Sequence, residues 1–250
     1  MELSNPLTRL IIALCLNAVI ALATYLMKMI SKSGAIGGFV VGALIYYFTD
    51  WRGYIVLVTF FIIGTLVTKV KYKDKASKGI AQEDEGRRGA KHAVANCSAS
   101  LLLGIAAYFA FRAGAERAAI LLMAGYVGAF ATAVSDTASS EIGQAYGKTT
   151  ILLTSFKRVP PGTEGAVSLE GTLAGIAASL LLGIIALASG VIFGFTGLLA
   201  IVLAAFIGNT LESVIGSTIE QLPFITNEVT NFLNTVIGAL AAIGLYAVMS

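Results

Sequence analysis

Runs of about 20 mostly apolar residues recur along the whole chain, and that repetition allows little besides a bundle of membrane-crossing helices. Inside a bilayer every backbone N–H and C=O must find its partner within the protein, so only helices or closed barrels cross it. The runs are too long for barrel strands. Eight candidate spans fall near 7–30, 34–49, 53–70, 93–112, 117–140, 168–189, 191–211 and 229–249. The second is short enough that a count of seven also stands, and Gly34, Gly37, Gly38 and Gly42 give it a small-residue face for close helix packing. With 57% hydrophobic and 12% charged residues in 250, and a mean hydropathy of +0.85, the chain is far more apolar than a soluble domain. The first run is long for a signal-peptide core and lacks a small-residue cleavage site, so a retained helix is expected. The expected fold class is all-α: a polytopic transmembrane bundle of 7–8 helices forming one integral membrane domain over 1–250.

Basic residues mark the cytoplasmic side of a membrane protein. If the loop at 71–92 is cytoplasmic, alternation puts the 28–33 turn and the loops near 141–167 and 212–228 on the same side. Thirteen of the seventeen basic residues then lie inside, leaving Arg9, Arg52, Arg112 and Arg117 outside. Both termini are expected outside. Every polar-rich loop falls on the cytoplasmic face, where nucleotides are available.

Within 71–92, Lys71, Lys73, Lys75 and Lys78 read most simply as interfacial lysines facing anionic lipid heads. Arg87, Arg88 and Lys91 directly precede a span whose first turns carry Asn96, Ser98 and Ser100. Two readings stand for them: a positive-inside anchor, or ligands for an anion. His92 reads as a solvated interfacial histidine. Cys15 and Cys97 sit in apolar segments without CxxC or Cys/His spacing, which argues against zinc and against a disulfide framework.

Between the fifth and sixth runs, 135–175 crowds polar, charged and glycine residues. Carboxylates beside a span are costly to bury, so they point to work on a charged ligand. Asp136, at the cytoplasmic end of an apolar helix, is the first candidate site residue. On a continuing helix Ser139 and Ser140 share its face, whereas Glu141 points about 140° away at roughly 100° per residue. Asp136 and Glu141 therefore form a same-face pair only if the helix breaks between them.

Gly143 to Thr149 imitates a phosphate-binding P-loop, but only three residues separate Gly143 from Gly147-Lys148-Thr149 and no parallel strand precedes it, so that fold is rejected. Lys148 remains free to touch a phosphate. Lys157-Arg158-Val159-Pro160-Pro161-Gly162-Thr163-Glu164-Gly165 is a better candidate. Two cations precede a stiffened, glycine-permissive turn able to aim successive N–H groups at an anion. Glu170 heads the next helix, where it serves either the helix dipole or a metal, and that helix N-terminus suits phosphate. Asn209, Glu212, Ser213 and Gly216 recur on one helix face, extended by Glu220. Asn227, Asn231 and Asn234 repeat at i, i+4 and i+7, read either as interhelical hydrogen bonding or as part of a site.

The run Ser135-Asp136-Thr137-Ala138-Ser139-Ser140-Glu141-Ile142-Gly143, the basic turn through Gly165 and Ser168-Leu169-Glu170-Gly171-Thr172 resemble the DUF92 family of integral membrane proteins. That family includes animal TMEM-19-type proteins and plant and cyanobacterial phytyl-phosphate kinases. Arg87-Arg88-Gly89-Ala90-Lys91-His92-Ala93-Val94-Ala95-Asn96 and the patch from Asn209 to Gly216 are similar to it too, so the resemblance covers most of the chain. Cys97 stands where family members often carry glycine, and Glu212 where aspartate is expected. A fainter similarity, through Asp136, Gly143, Gly147 and Glu170-Gly171-Thr172, runs to CTP-dependent polyprenol, dolichol and phytol kinases.

The resemblance implies transfer of a phosphoryl group from CTP, or another nucleoside triphosphate, to a phytyl or prenyl monophosphate, giving the diphosphate with Mg²⁺. Such chemistry asks mainly for positioning and charge neutralisation. On this expectation Asp136, Lys157 and Arg158 are catalytic, and the metal falls to Asp136 with Glu141, Glu170 or Glu212. Arg87, Arg88, Lys91, Asn96, Ser139, Gly162, Thr163, Glu164, Gly165, Asn209 and Asn231 bind nucleotide and lipid phosphates. The expected partners are a nucleoside triphosphate, an isoprenoid monophosphate and the bilayer of a plasma or thylakoid membrane, with homo-oligomers left open and no nucleic acid. A CTP-dependent lipid cytidylyltransferase and a lipid or anion transporter are the competing readings. Transporters place polar sites near the midplane on repeated, broken helices, and no internal repeat is evident.

Overall fold

The computed structural model describes residues 5–82, 84–218 and 226–249. Eight α-helices account for most of them: α1 (Pro6–Leu26), α2 (Lys32–Lys69), α3 (Tyr72–Ser77), α4 (Ala90–Arg112), α5 (Glu116–Tyr146), α6 (Leu169–Ala188), α7 (Gly194–Thr218) and α8 (Asn227–Met249). All but α3 are long and apolar enough to cross a membrane. Glu220 falls outside the described residues.

The expected spans at 34–49 and 53–70 are two limbs of α2. Asp50 breaks the helical path with φ 55° and ψ −166°. The limbs fold back on each other, since Gly34 and Gly64 both lie against Arg88 although thirty residues separate them. A non-glycine residue at positive φ costs about 1–3 kcal/mol, so something must hold it there. The Asp50 carboxylate accepts a hydrogen bond from the Arg52 N–H (2.8 Å), capping the second limb. Arg9 reaches over from α1, 3.9 Å from Asp50 and donating to the Tyr47 carbonyl at 3.1 Å. Seven long helices thus supply eight antiparallel limbs.

An even number of limbs returns the chain to the end from which it started. The Arg9 end of α1 meets Asp50, while Tyr246 near the end of α8 donates and accepts hydrogen bonds at Phe193. Asp50 and Phe193 line one shallow cavity together with Glu116, so these turns share one end of the bundle. The 28–31 turn, α3, the start of α4, the end of α5 and the start of α6 gather at the other.

Helix α5 is the axis of the fold. It packs on α2, α4, α6, α7 and α8, and Tyr126, Val127, Ala129, Phe130, Ala131 and Val134 are buried completely. Its run of alanine and glycine explains how one helix can touch so many: small side chains let neighbouring backbones close in. The α5/α6 crossing is the clearest case, because a Cβ on Gly171 would meet the Ser139 carbonyl at 2.5 Å and one on Gly175 would collide with Ser139 and Ser135.

Several element ends differ from the sequence expectation. α5 continues through Tyr146, so the stretch 141–146 is helix rather than loop, and α7 carries Glu212 on a helix that runs to Thr218. The connection after α5 contains β1 (Thr150–Leu152) and β2 (Ala166–Ser168), an antiparallel pair in which Thr150 faces Ser168 and Leu152 faces Ala166. Strands of three residues are too short for hydrophobic-run patterning to reveal.

Candidate functional site

The polar end of the bundle holds a cleft of about 110 Å³ between α5, α6, α7 and the chain around β2. Ser139, Ser140, Gly143 and Gln144 of α5 form one wall, and Asn209, Glu212 and Ser213 of α7 another. The 161–165 turn and the N-terminal turn of α6, with Ser168, Gly171 and Thr172, close it. Seven residues expected to act together are therefore neighbours: Ser139, Gly162, Thr163, Glu164, Gly165, Asn209 and Glu212.

Local chemistry fixes each wall. The Asn209 amide donates to the Ser139 hydroxyl at 2.9 Å, joining α7 to α5. Ser168 caps α6 by accepting from the Gly171 N–H at 3.1 Å, which aims the positive end of a 20-residue helix dipole at the cleft. The turn is held by the Thr163 N–H and hydroxyl, both donating to the Pro160 carbonyl (3.3 and 2.8 Å). Gly162 and Gly165 both have positive φ, 88° and 70°. A Cβ at Gly165 would strike the α7 backbone at Ser213 and Ser217, so the turn seats on α7 only as glycine.

Lys157 and Arg158 are not brought into the cleft. The chain turns back after β1, with the Leu152 N–H donating to the Lys157 carbonyl at 3.0 Å and Val159 to Thr150 at 3.0 Å. Both cations lie exposed on the outer edge of this hairpin. Glu170 also turns away, its carboxylate accepting from the Lys148 N–H at 3.4 Å. Asn231 is half-buried near the start of α8 and lies outside the cleft lining.

The four expected metal carboxylates do not converge. Among the described residues no group of three or more His, Cys, Asp and Glu side chains is placed to hold a metal. Because α5 stays helical, Glu141 points away from Ser139 and Ser140, as the 100° step requires. It is buried against Lys75, which also donates to the Thr68 carbonyl at 3.1 Å. Lys75 is 1% exposed, so it is a buried ion-pair partner and no lipid-facing lysine. Asp136 is half-buried one turn below the cleft and accepts from Ser140 at 3.4 Å.

The basic motif before α4 also separates. Arg87 faces Asp84 (2.8 Å) and Glu85 (3.8 Å) in the loop. Arg88 instead pins its backbone to the 29–31 turn, exchanging hydrogen bonds with Met29 and Ser31 (3.3 and 3.2 Å), and sends its guanidinium inward over the Phe60 ring at 5.5 Å. Burial pushes that guanidinium below its usual range, offset in part by Cys97, Glu141 and Asp136. Lys91 is exposed, and Asn96 donates back to the His92 carbonyl at 3.0 Å. His92 shares a hydrogen bond with Gln82 at 3.1 Å.

Sequence reasoning missed Gln144 as a lining residue, and it named Thr172 and Ser213 only as members of motifs. Helical spacing was the available signal for the first, since Ser140 and Gln144 continue the face that begins at Asp136. Lys75 offered none, because a lysine paired across 66 residues looks like any other in a basic loop.

The family described as integral membrane protein DUF92 matches residues 15–239. The chain belongs to the DUF92 family. An uncharacterized membrane protein of Synechocystis sp. is 43% identical over 88% of this chain and 84% of its own length. The Arabidopsis thaliana protein VTE6, chloroplastic, is 39% identical over 86% of this chain, which spans 64% of that longer relative. An uncharacterized membrane protein of Methanocaldococcus jannaschii is 31% identical over 98% of both chains. No solved structure matches. As a DUF92 member the protein is an integral membrane protein.

Proposed function

We propose that this DUF92 protein is a membrane-embedded isoprenoid-phosphate kinase, moving the γ-phosphoryl group of CTP or another nucleoside triphosphate to a phytyl or prenyl monophosphate. The observation that carries this reading is the cleft itself, in which a capped helix N-terminus, a glycine turn and hydroxyl, amide and carboxylate side chains meet at one end of an apolar bundle. The motif resemblance to phytyl-phosphate kinases and the likeness to a chloroplastic plant protein support the same choice.

The N–H groups at the head of α6 and in the 162–165 turn would hold nucleotide phosphate oxygens. The acceptor is an ionised phosphate, so no strong general base is needed. An acceptor oxygen bonds to the γ-phosphorus as the bond to the β,γ-bridging oxygen breaks, and the nucleoside diphosphate leaves with that electron pair. Mg²⁺ fits the donor set: Glu164 and Glu212 supply hard carboxylate oxygens in the cleft, and this ion is commonly held by one or two carboxylates plus substrate phosphates. It would neutralise charge on the transferring group. Asp136, one turn below, would orient Ser140 at the cleft wall. The active face would look into the cytoplasm, and the host would be a plasma or thylakoid membrane.

Purified protein assayed with labelled CTP, ATP and GTP against phytyl, geranylgeranyl and farnesyl monophosphates tests the reading. Release of nucleoside diphosphate with formation of the prenyl diphosphate is the expected result. Pyrophosphate release would establish the cytidylyltransferase instead, and no turnover with any pair would end the kinase assignment.

A further inference from the structure

An isoprenoid monophosphate carries a long apolar tail that a polar cleft does not hold. A second cavity, of about 320 Å³, lies between α1, the two limbs of α2 and the first turns of α4. Its walls are apolar, with Ile20, Ala21, Val41, Leu57, Val58 and Phe61 among them. It follows the first limb of α2 from Gly34 to Gly42, roughly 12 Å at 1.5 Å per residue. Its deep end is marked by Asn17 and Tyr54, whose hydroxyl donates to the Asn17 side chain at 2.8 Å. Arg88 and His92 mark the other end.

Arg88 gives this cavity a chemical direction. A half-buried arginine lining an apolar space favours a ligand with one anionic head and an apolar tail. Of the two acidic side chains whose charge it feels, Glu141 is already paired with Lys75. The other, Asp136, lies on α5 one helical turn from Ser139 and Ser140 of the proposed nucleotide cleft. We propose that this cavity holds the head-proximal tail of the acceptor, with its monophosphate at Arg88. The assignment rests on the kinase reading for the identity of the lipid.

Gly38 provides the means of testing it. Gly38 lines the cavity, and a Cβ there meets nothing within 4 Å, so a larger side chain enters the space without striking a neighbour. The full chain in nanodiscs is irradiated with a diazirine analogue of geranylgeranyl monophosphate, without nucleotide, and adducts are mapped by mass spectrometry. Adducts are expected at cavity residues such as Ala21, Val58 and Phe61. Unlabelled geranylgeranyl monophosphate should compete about tenfold better than geranylgeraniol, and Arg88→Gln should erase that difference. Gly38→Leu should reduce labelling about tenfold, with a smaller loss for a ten-carbon analogue. Ala21→Leu fills the cavity from the facing helix and keeps the test decisive should the first variant fail to fold.

Adducts outside the cavity, equal competition by bulk phospholipid, or unchanged labelling in both filled variants would overturn the proposal. If transfer from nucleotide persists alongside adducts elsewhere, the tail site falls and the kinase reading stands. If the cavity is labelled as described but no nucleotide supports transfer, the lipid-phosphate site stands and the kinase reading falls.

Discussion

Lys75 and Glu141 form a buried ion pair that ties the segment after α2 to the end of α5, with the lysine 1% and the glutamate 6% exposed. The pair anchors the last turns of α5, which remain helical where they carry Ser139, Ser140 and Gly143. A paired carboxylate inside the bundle also removes Glu141 from the pool of metal ligands.

Breaking such a pair from one side strands a charge. Lys75→Met and Glu141→Leu should each lower stability by about 3–5 kcal/mol, whereas the two substitutions together should recover most of it. Thermal unfolding of the four proteins in detergent checks this through the coupling between the two sites. Additive losses would show that the pair is not a unit.

Asp136→Asn keeps the side-chain shape but removes the charge that makes it a strong acceptor for Ser140, the contact on which its proposed role rests. Phosphoryl transfer should fall at least about a hundredfold, with expression, detergent stability and elution unchanged. Turnover is followed with CTP and geranylgeranyl monophosphate. Retained wild-type activity would exclude Asp136 from the machinery.

Two glycines with similar backbone angles separate conformational strain from site geometry. Gly165 has φ 70° and abuts the α7 backbone, while Gly190 has φ 73° at the opposite end, where an added Cβ would meet nothing within 4 Å. Both alanine variants should lose about 1–2 kcal/mol from the left-handed backbone. Only Gly165→Ala should also lose nucleotide-dependent activity, read as turnover against melting temperature for each variant.

The bundle was legible because the bilayer demands long apolar helices, and the short second run survived as a real limb because its glycines admit Arg88 and Asn17. The turn at Asp50 was less legible, since its cap and its contact with Arg9 come from residues with no periodic signal. For the cleft, spacing grouped Ser139 with Asp136 and Asn209 with Glu212, because one helix orders its own faces. It did not reveal which cations turn inward. Arg87 and Arg88 are adjacent in sequence yet face a local acidic turn and the bundle interior, a choice made by the 29–31 segment that pairs with Arg88. Lys157 and Arg158 looked like phosphate ligands by composition, but hairpin pairing fixes them on an exposed edge.

The charge bias of the loops predicts a single orientation. In a cysteine-free background, cysteine at Lys73 should react with a membrane-impermeant maleimide only from the cytoplasmic side, and cysteine at Arg52 only from the other. Right-side-out and inverted vesicles give the two exposures. The opposite pattern would place the cleft away from cytoplasmic nucleotide.

Glu164 and Glu212 reach the cleft from different elements, a turn and a helix, and are the carboxylates that line it. If they hold Mg²⁺ together with nucleotide phosphates, each loss removes one charged ligand without emptying the site. Glu164→Gln and Glu212→Gln should therefore raise the half-saturating Mg²⁺ concentration by about tenfold, the scale on which ligand charge sets affinity, while activity at saturating metal recovers in part. Glu170→Gln acts as the comparison, since that carboxylate accepts from the Lys148 N–H and lies outside the lining. It should leave the Mg²⁺ requirement unchanged. Metal titrations at fixed CTP and acceptor measure all three, and an equal shift in the Glu170 variant would move the metal from the cleft to the head of α6.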